Sequence, residues 1–459
     1  MNRNLKKLAF CAMYIASVGF VSAQERKLPL DEAIYLSLQH SNQLKLSKAK
    51  TEEAVASLRS AQDQRLPSAS ISGSYIRINQ PNLDLKLKLG GSSQSGNGNS
   101  GGQSEPSTAP SFSVNEAAYA IANVSLPLFA GFKISSGIES AKFLKRASEL
   151  DAEKDREEVI ANAIAAYSNL YKASAAVELV QENLKTAKQR VTDFSNLEQN
   201  GLMARNDLLK AQLQQSNVEL TLLDAENNRK LTCINMNLML GLPQETILVP
   251  DAKAFVVSAD AHQYSDWETL ALSNRKDIQS LGYRIKAANV GVQAAKGDYY
   301  PSVALTGGYL AAYIPNVLTV TNALNGGVGV KYSPSSLWTA GAKVSAAKAR
   351  LNEAQLNEAM LLDAVRLQVA QAYQTYLSNL KKIDVYEKAL AQASENYRIV
   401  RNKQQNELAT TTELLDADVA QLQAHINAAY AKADALVAFK KLQQMVGVLS
   451  ESTTQKTLN

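Results

Sequence analysis

Cysteine is almost absent from this sequence. Its two cysteines are Cys11 and Cys233, and the first falls inside an N-terminal stretch that reads as an address. Asn2 to Lys7 is basic, Leu8 to Val21 is an apolar run, and Val21-Ser22-Ala23 is a small-residue cleavage signal before Gln24. Residues 1–23 are therefore expected to be a secretory signal peptide, too short for a spanning helix. The mature chain then holds Cys233 alone, so no intramolecular disulfide is available and the fold rests on packing.

Other absences exclude functions. The three histidines, His40, His262 and His425, are scattered, and no Cys/His pair has metal spacing. There is no glycine-rich phosphate loop, no G-x-S-x-G and no H-E-x-x-H. The carboxylates lie beside Lys and Arg on helix faces, as solvated charge does. No catalytic residue, cofactor or metal site is read, and the chain is not expected to be an enzyme. An excess of one charge is lacking too. Once Arg3, Lys6 and Lys7 leave with the signal, 45 of the 48 basic residues face 43 acidic ones. That argues against a nucleic-acid partner. No later stretch is apolar over the length of a membrane helix, so membrane residence would need strands.

What the sequence does have is long uninterrupted helix. From Thr339 to Gly447 there is no proline and, between Gly341 and Gly447, no glycine. Leu362, Val365, Val369, Ala372, Tyr376, Leu380, Ile383, Tyr386, Leu390, Ala393, Tyr397 and Val400 recur in steps of three and four, the seam of a coiled coil. The run pauses at Lys403 to Leu408 and restarts at the capping box Thr410-Thr411-Thr412-Glu413. One helix of roughly 65 residues is on the order of 100 Å long.

The chain is also duplicated. Leu36–Tyr75 aligns without a gap on Leu270–Tyr309, and Ser140–Leu242 aligns without a gap on Ala346–Val448. The expected organisation is a signal at 1–23, a first repeat at 24–242, a linker at 243–264, a second repeat at 265–448 and a disordered tail at 449–459. Each repeat reads as a helix of about 35 residues (Leu30 to Leu66, Trp267 to Tyr299), a strand hairpin, a long helix and a return helix of about 38. The shorter helices are expected to start at Asp31 and at a capping box in Ser265-Asp266-Trp267-Glu268, and to end at Pro67 and Pro301. Period-two alternation marks the strands, as in Ser68, Ser70, Ser72 and Ser74 between Ala69, Ile71, Gly73 and Tyr75. The stretch Gly90 to Pro110 reads as an exposed hairpin tip.

Four strands per chain are too few for a barrel with a lumen, and an open sheet has bare edges that a membrane forbids. Closure with other copies is expected, and three chains would give twelve strands. Three groups of residues then carry a resemblance: Leu30-Asp31-Glu32-Ala33-Ile34 with its echo Asn274-Arg275-Lys276-Asp277-Ile278; Tyr300-Pro301-Ser302-Val303-Ala304-Leu305; and Pro127-Leu128-Phe129-Ala130-Gly131-Phe132. In this order, and with the duplication, the chain resembles the TolC-type outer-membrane efflux proteins over nearly its whole mature length. The resemblance implies a mainly α fold with a β-barrel portion: a homotrimer with a twelve-stranded transmembrane barrel continued by an α-helical coiled-coil barrel. It implies an exit duct in the outer membrane of a Gram-negative bacterium, extending into the periplasm. The implied partners are a periplasmic adaptor (membrane fusion protein), an inner-membrane pump and outer-membrane lipid. A secreted coiled-coil scaffold without a pore is the alternative from another class, and it leaves the paired hairpins unexplained. The cargo class, whether drug, metal ion or polypeptide, is not written in the sequence.

Three groups of site residues follow. The resemblance assigns adaptor docking to the helix tips, Asn200-Gly201-Leu202-Met203 and Asn406-Glu407-Leu408; Glu407 stands where the first copy has Gly201. It also implies a ring of aspartates at the closed end by the second turn, where the long helix holds Arg398, Arg401 and Lys403, with Asp193 and Glu198 in the first copy. Arg–carboxylate pairs between the two hairpins are the expected gate. Phe129, Phe132 and Trp338, where strands meet long helices, suit a membrane-interface belt or ordinary junction packing alike.

Overall fold

The computed structural model describes residues 25–77, 79, 115–255, 262–315 and 318–450. The expected signal peptide, the Gly90–Pro110 tip and residues 451–459 lie outside them. The elements in order are β1 (Glu25–Leu28), α1 (Leu30–His40), α2 (Asn42–Asp63), β2 (Ser68–Arg77), β3 (Glu116–Ala130), α3 (Lys133–Gln199), α4 (Arg205–Leu240), β4 (Ile247–Pro250), α5 (Tyr264–Asn274), α6 (Lys276–Lys296), β5 (Ser302–Ile314), β6 (Leu318–Lys331), α7 (Ser336–Gln405) and α8 (Thr411–Met445). The chain forms two compact units. One takes residues up to Glu53, Lys145–Arg284 and from Ala354 on; the other takes Ala54–Leu144 and Ile285–Glu353.

The larger unit is helical, and its core repeats with the sequence. In the first copy Leu170, Met236 and Leu240 are fully buried around Tyr167. In the second copy the aligned Tyr376, Leu442 and Val446 are buried around Trp267. The α8 start is capped as expected: Thr410 Oγ1 accepts from the Glu413 N–H at 3.2 Å, and the Glu413 carboxylate accepts from the Thr410 N–H at 2.7 Å.

Three expectations need correction here. First, the helices of about 35 residues are each broken. Ser41 leaves helical geometry at ψ 118° and Arg275 at ψ 125°. The reason is close packing of a return-helix end. Gly241, at φ +70°, lies so close to His40 that a Cβ would come within 2.5 Å of its ring. Gly447, at φ +76°, lies likewise against Asn274 and Arg275. Both glycines end return helices in the left-handed conformation that only glycine takes without strain. At the second break Arg275 also donates to the Met445 carbonyl at 3.1 Å and pairs with Asp277. Burial would raise the Asp277 pKa, but Arg275 holds it below the ordinary carboxylate range. Second, the N-termini differ. The Asp266 carboxylate accepts from the Gln263 N–H at 3.0 Å, so α5 is capped from Gln263 rather than Ser265, and α1 starts after Pro29 with Asp31 in its first turn. Third, Leu449 is fully buried beside Ile34 and Ile160, so the ordered chain runs past 448.

Residues 243–264 are also more than a linker. β4 pairs in parallel with β1, Glu25 to Leu28 against Ile247 to Pro250. Tyr167 ties the pair down: its hydroxyl donates to the Leu28 carbonyl at 2.8 Å and accepts from the Asp251 N–H at 2.7 Å. Phe255 stacks on Tyr171 with centroids 4.2 Å apart.

The smaller unit holds a four-stranded antiparallel sheet in the order β2-β3-β5-β6. Residues paired across strands share a face. One face carries Ile71, Tyr75, Val124, Leu126, Phe129, Val303, Leu305, Tyr309, Leu324, Val328 and Val330; the other mixes Ser70, Ser72, Ser74, Asn123, Ser125, Ser302, Thr306 and Asn325 with Ile76, Tyr119, Ile121 and Leu310.

Replacing Tyr167 by Phe removes both hydroxyl bonds and strands two buried backbone groups. It is expected to cost about 2–4 kcal/mol in denaturant unfolding. Burial pushes the Tyr167 pKa up to about 12, above the unfolded value near 10. The hydroxyl's contribution is therefore complete below about pH 10 and lost as pH rises towards 12, so the gap between wild type and variant should close over that window.

Candidate functional site

Both helix tips are built by the same hydrogen bonds. In the first, the Gly201 N–H donates to Glu198 O at 2.9 Å and the Leu202 N–H to Leu197 O at 2.8 Å. In the second, the Glu407 N–H donates to Gln404 O at 3.1 Å and the Leu408 N–H to Lys403 O at 2.8 Å. The amides of Asn200 and Asn406 each reach back one turn, to Asn196 O at 2.6 Å and Asn402 O at 2.8 Å. Such closure needs a left-handed residue after the helix. Gly201 supplies it at φ +73° and Glu407 at φ +58°. A non-glycine residue costs about 1 kcal/mol there, and its carboxylate sits at the negative end of a helix dipole. Leu202 and Leu408 are 71% and 77% exposed, whereas Met203 packs inward against the Phe194 and Leu208 cluster.

The expected gate residues are not brought together. Arg398 pairs with Glu395 on its own helix at 2.7 Å, which lowers the Glu395 pKa and raises that of Arg398. Asp193 accepts from Gln189, also on its own helix, at 2.9 Å, and Glu198 approaches Arg205 across the first turn at 3.7 Å. Arg401 is exposed, and Lys403 lines a shallow cleft with Val400, Leu408, Glu413 and Asp416. Carboxylates therefore stand at the second tip after all, on the first turns of α8 rather than on the long helix.

A cross-hairpin Arg–carboxylate pair does exist, two turns further in. Arg190 of α3 donates to Asp418 of α8 at 3.0 Å and to the Tyr397 hydroxyl of α7 at 3.2 Å. Asn183 adds a bond to the other Asp418 oxygen at 3.3 Å. Arg190 and Asp418 are 7% and 2% exposed. Burial alone would lower the Arg190 pKa; Asp418 and Tyr397 hold it above the ordinary value. Sequence reasoning missed this pair because nothing in the spacing places residue 190 opposite residue 418.

At the strand–helix junctions the aromatics meet. Phe132 packs edge-on to Phe129 and to Tyr300, centroids 5.2 and 5.8 Å apart. Gly131 and Gly297 cross so closely that neither tolerates a Cβ. Asp298 pairs with Lys133 and with Lys343, which hold its pKa below the usual range. Trp338 is 72% exposed.

The sequence profile of the outer membrane efflux proteins matches residues 33–242 and 267–448, one block for each copy of the repeat. The chain belongs to the outer membrane efflux protein family. The family consists of outer-membrane channels involved in efflux and secretion, and its members are not enzymes. Among curated proteins, the chain is 22% identical over 302 residues to the alkaline protease secretion protein AprF of Pseudomonas aeruginosa, a match spanning 64% of this chain and 63% of that relative. Among solved structures, it superposes on the outer membrane protein VceC of Vibrio cholerae with a TM-score of 0.71 at 18% identity, covering 91% of this chain and 96% of that one. The Campylobacter jejuni CmeC outer membrane channel gives a TM-score of 0.72 at 18% identity, covering 94% and 88%. These likenesses show the shared fold.

Replacing Glu407 by Gly is expected to stabilise the second tip by about 1 kcal/mol, and Gly201 by Glu to destabilise the first by a similar amount. Hydrogen exchange at the Leu408 and Leu202 amides reads both effects, as slower and faster exchange respectively.

Proposed function

We propose that this family member is the outer-membrane exit duct of a tripartite export system, working as a homotrimer. In this reading three four-stranded sheets close a twelve-stranded barrel, and the helices form a tunnel towards the periplasmic adaptor and inner-membrane pump. Transport through it is passive.

The observation that carries the reading is the apolar sheet face. It is bounded at one end by Tyr75 and Tyr313, which flank Ala118, and at the other by Phe129, Val303 and Val330. Along β5 the span from Tyr313 to Val303 is ten residues, about 33 Å. At the usual barrel tilt it stands about 25 Å tall, the height of an outer-membrane apolar band. Ile71 is 86% and Leu324 81% exposed on this face, more apolar surface than a lone water-facing sheet presents. Phe129, Phe132 and Trp338 fall at its lower edge, as an interface belt requires. No described helix is long and apolar enough to cross a membrane; in the proposed reading the strands span it.

Exposed leucines support assembly of several copies. Leu209, Leu213, Leu220, Leu223, Leu231 and Leu238 leave an apolar seam open on α4. Leu202 and Leu408 are the surface offered to the adaptor. The buried Arg190–Asp418–Tyr397 tie is the candidate gate, since spreading the hairpins must break it. Arg398 is answered by Glu395 on its own helix, so the proposed gate is centred on Arg190.

Two measurements test this. Leu202→Asp with Leu408→Asp should abolish export while the trimer stays in the outer membrane; unchanged export would remove the tips from docking. Asp418→Ala leaves the Arg190 charge buried and unpaired, a change that costs about 3–5 kcal/mol in buried pairs. It should raise single-channel conductance or open probability in planar bilayers, with Arg398→Ala as the unaffected control; equal conductance in both would contradict the gate.

A further inference from the structure

The two copies of the repeat differ where sheet gives way to helix. In the second copy Tyr299 fills the junction. Its hydroxyl lies 3.8 Å from where a Cβ on Gly341 would sit, and the neighbouring Ala340 is fully buried. The alignment of the copies sets Arg65 at the place of Tyr299, and Ile134 and Ser135 at the places of Ala340 and Gly341. In the first copy the space stays open. A groove of about 290 Å³ lies between the end of α2 and the start of α3, and Ile134 is only half-buried beside it. Packing leaves few voids larger than one water, so this space is large enough for a ligand.

Its chemistry is amphiphilic. The walls are Pro127, Leu128, Phe129, Phe132 and Ile134. Leu128 and Phe132 are 57% and 59% exposed. Ser135 also lines the groove, but its hydroxyl already donates to the Phe132 carbonyl at 2.9 Å. No carboxylate lines it, and its one charge is Arg65. The turn that carries Arg65 is fixed: the Arg65 N–H donates to Gln62 O at 3.1 Å and the Leu66 N–H to Asp63 O at 2.9 Å. Arg65 is exposed, and its side chain has no acidic partner among the described residues. Lys133, close by in sequence to the groove walls, is answered by Asp298.

We propose that this groove binds one anionic phospholipid per chain, with the phosphate on Arg65 and an acyl chain along Leu128, Phe129 and Phe132. The inference rests on the reading that the apolar sheet face meets lipid, and it adds a discrete site to that reading. Phe129 belongs to the apolar face, opposite Val303, so the groove is continuous with the surface that faces the acyl layer. A guanidinium offers a phosphate two parallel N–H donors, and basic pockets between helices at a membrane surface bind anionic head groups. The second copy, with Tyr299 at this place, has neither the charge nor the space. Each chain therefore has one such site, although the repeat supplies two junctions.

Native mass spectrometry of the full-length protein, titrated with phosphatidylglycerol or with phosphatidylcholine, counts the lipids retained. Wild type should keep one phosphatidylglycerol per chain in preference to phosphatidylcholine. Arg65→Ala should weaken phosphatidylglycerol retention about fivefold, the effect of one basic group near an anionic surface, and leave phosphatidylcholine unchanged. Arg65→Tyr, which copies the second repeat, should remove the site. Arg350→Ala, exposed on α7 and outside the groove, should match wild type. Equal retention of phosphatidylglycerol by wild type and Arg65→Ala would overturn the site. Displacement of the lipid by inorganic phosphate would assign Arg65 to a free anion and overturn it too. Incorporation into nanodiscs is measured alongside. A protein that enters them with no dependence on Arg65 contradicts this inference alone; one that enters none contradicts the membrane reading as well.

Discussion

The constraint on which the structure depends is that backbone N–H and C=O groups need partners where water is absent. Between them, β2 and β6 present two unpaired rows of such groups, flanking a sheet whose one face is almost wholly apolar. In water the apolar face is the liability, and in lipid the edges are. The proposed closure with further copies answers both at once. In that proposal the duplication makes closure simple, because the β3–β5 boundary inside the chain offers a pattern for the boundary between copies. The paired aromatic and glycine contacts beneath the strands fix where sheet gives way to helix.

In the helical unit, long helices with narrow seams cannot bury themselves alone. Each copy therefore folds its return helix back along the long one and locks the end with a left-handed glycine, Gly241 or Gly447. Those glycines press into the shorter helices and break them at Ser41 and Arg275. The Arg190–Asp418 pair is a different kind of contact. It joins the two copies to each other close to the tips, where the apolar clusters are smallest. A buried ion pair adds little net stability, but removing one partner strands a buried charge at a cost of about 3–5 kcal/mol.

Much of this was legible in the sequence. The bounds of α3, the hairpins, the Thr410 capping box and the repeat all follow from periodicity, capping residues and prolines, which are local signals. The alignment of Glu407 with Gly201 marked the second tip, and both residues are left-handed. What was not legible depends on contacts between distant residues. The breaks at Ser41 and Arg275 arise from a glycine some 170–200 positions away. The β1–β4 pair consists of two four-residue strands, too short to show a period, and is fixed by the hydroxyl of Tyr167. At the second tip Glu413 and Asp416 line one cleft with Lys403 across the turn, a juxtaposition that spacing along the chain does not show.

The central claim is that the apolar sheet face meets lipid and that its edges close with two further copies. A cryo-electron microscopy reconstruction of the full-length protein in lipid nanodiscs tests it most directly. The account predicts three chains, twelve strands in one closed barrel, and acyl-chain density against Ile71, Leu305 and Leu324. A particle that leaves the nanodisc empty, or one in which this face packs against protein while the β2 and β6 edges stay open, would contradict it.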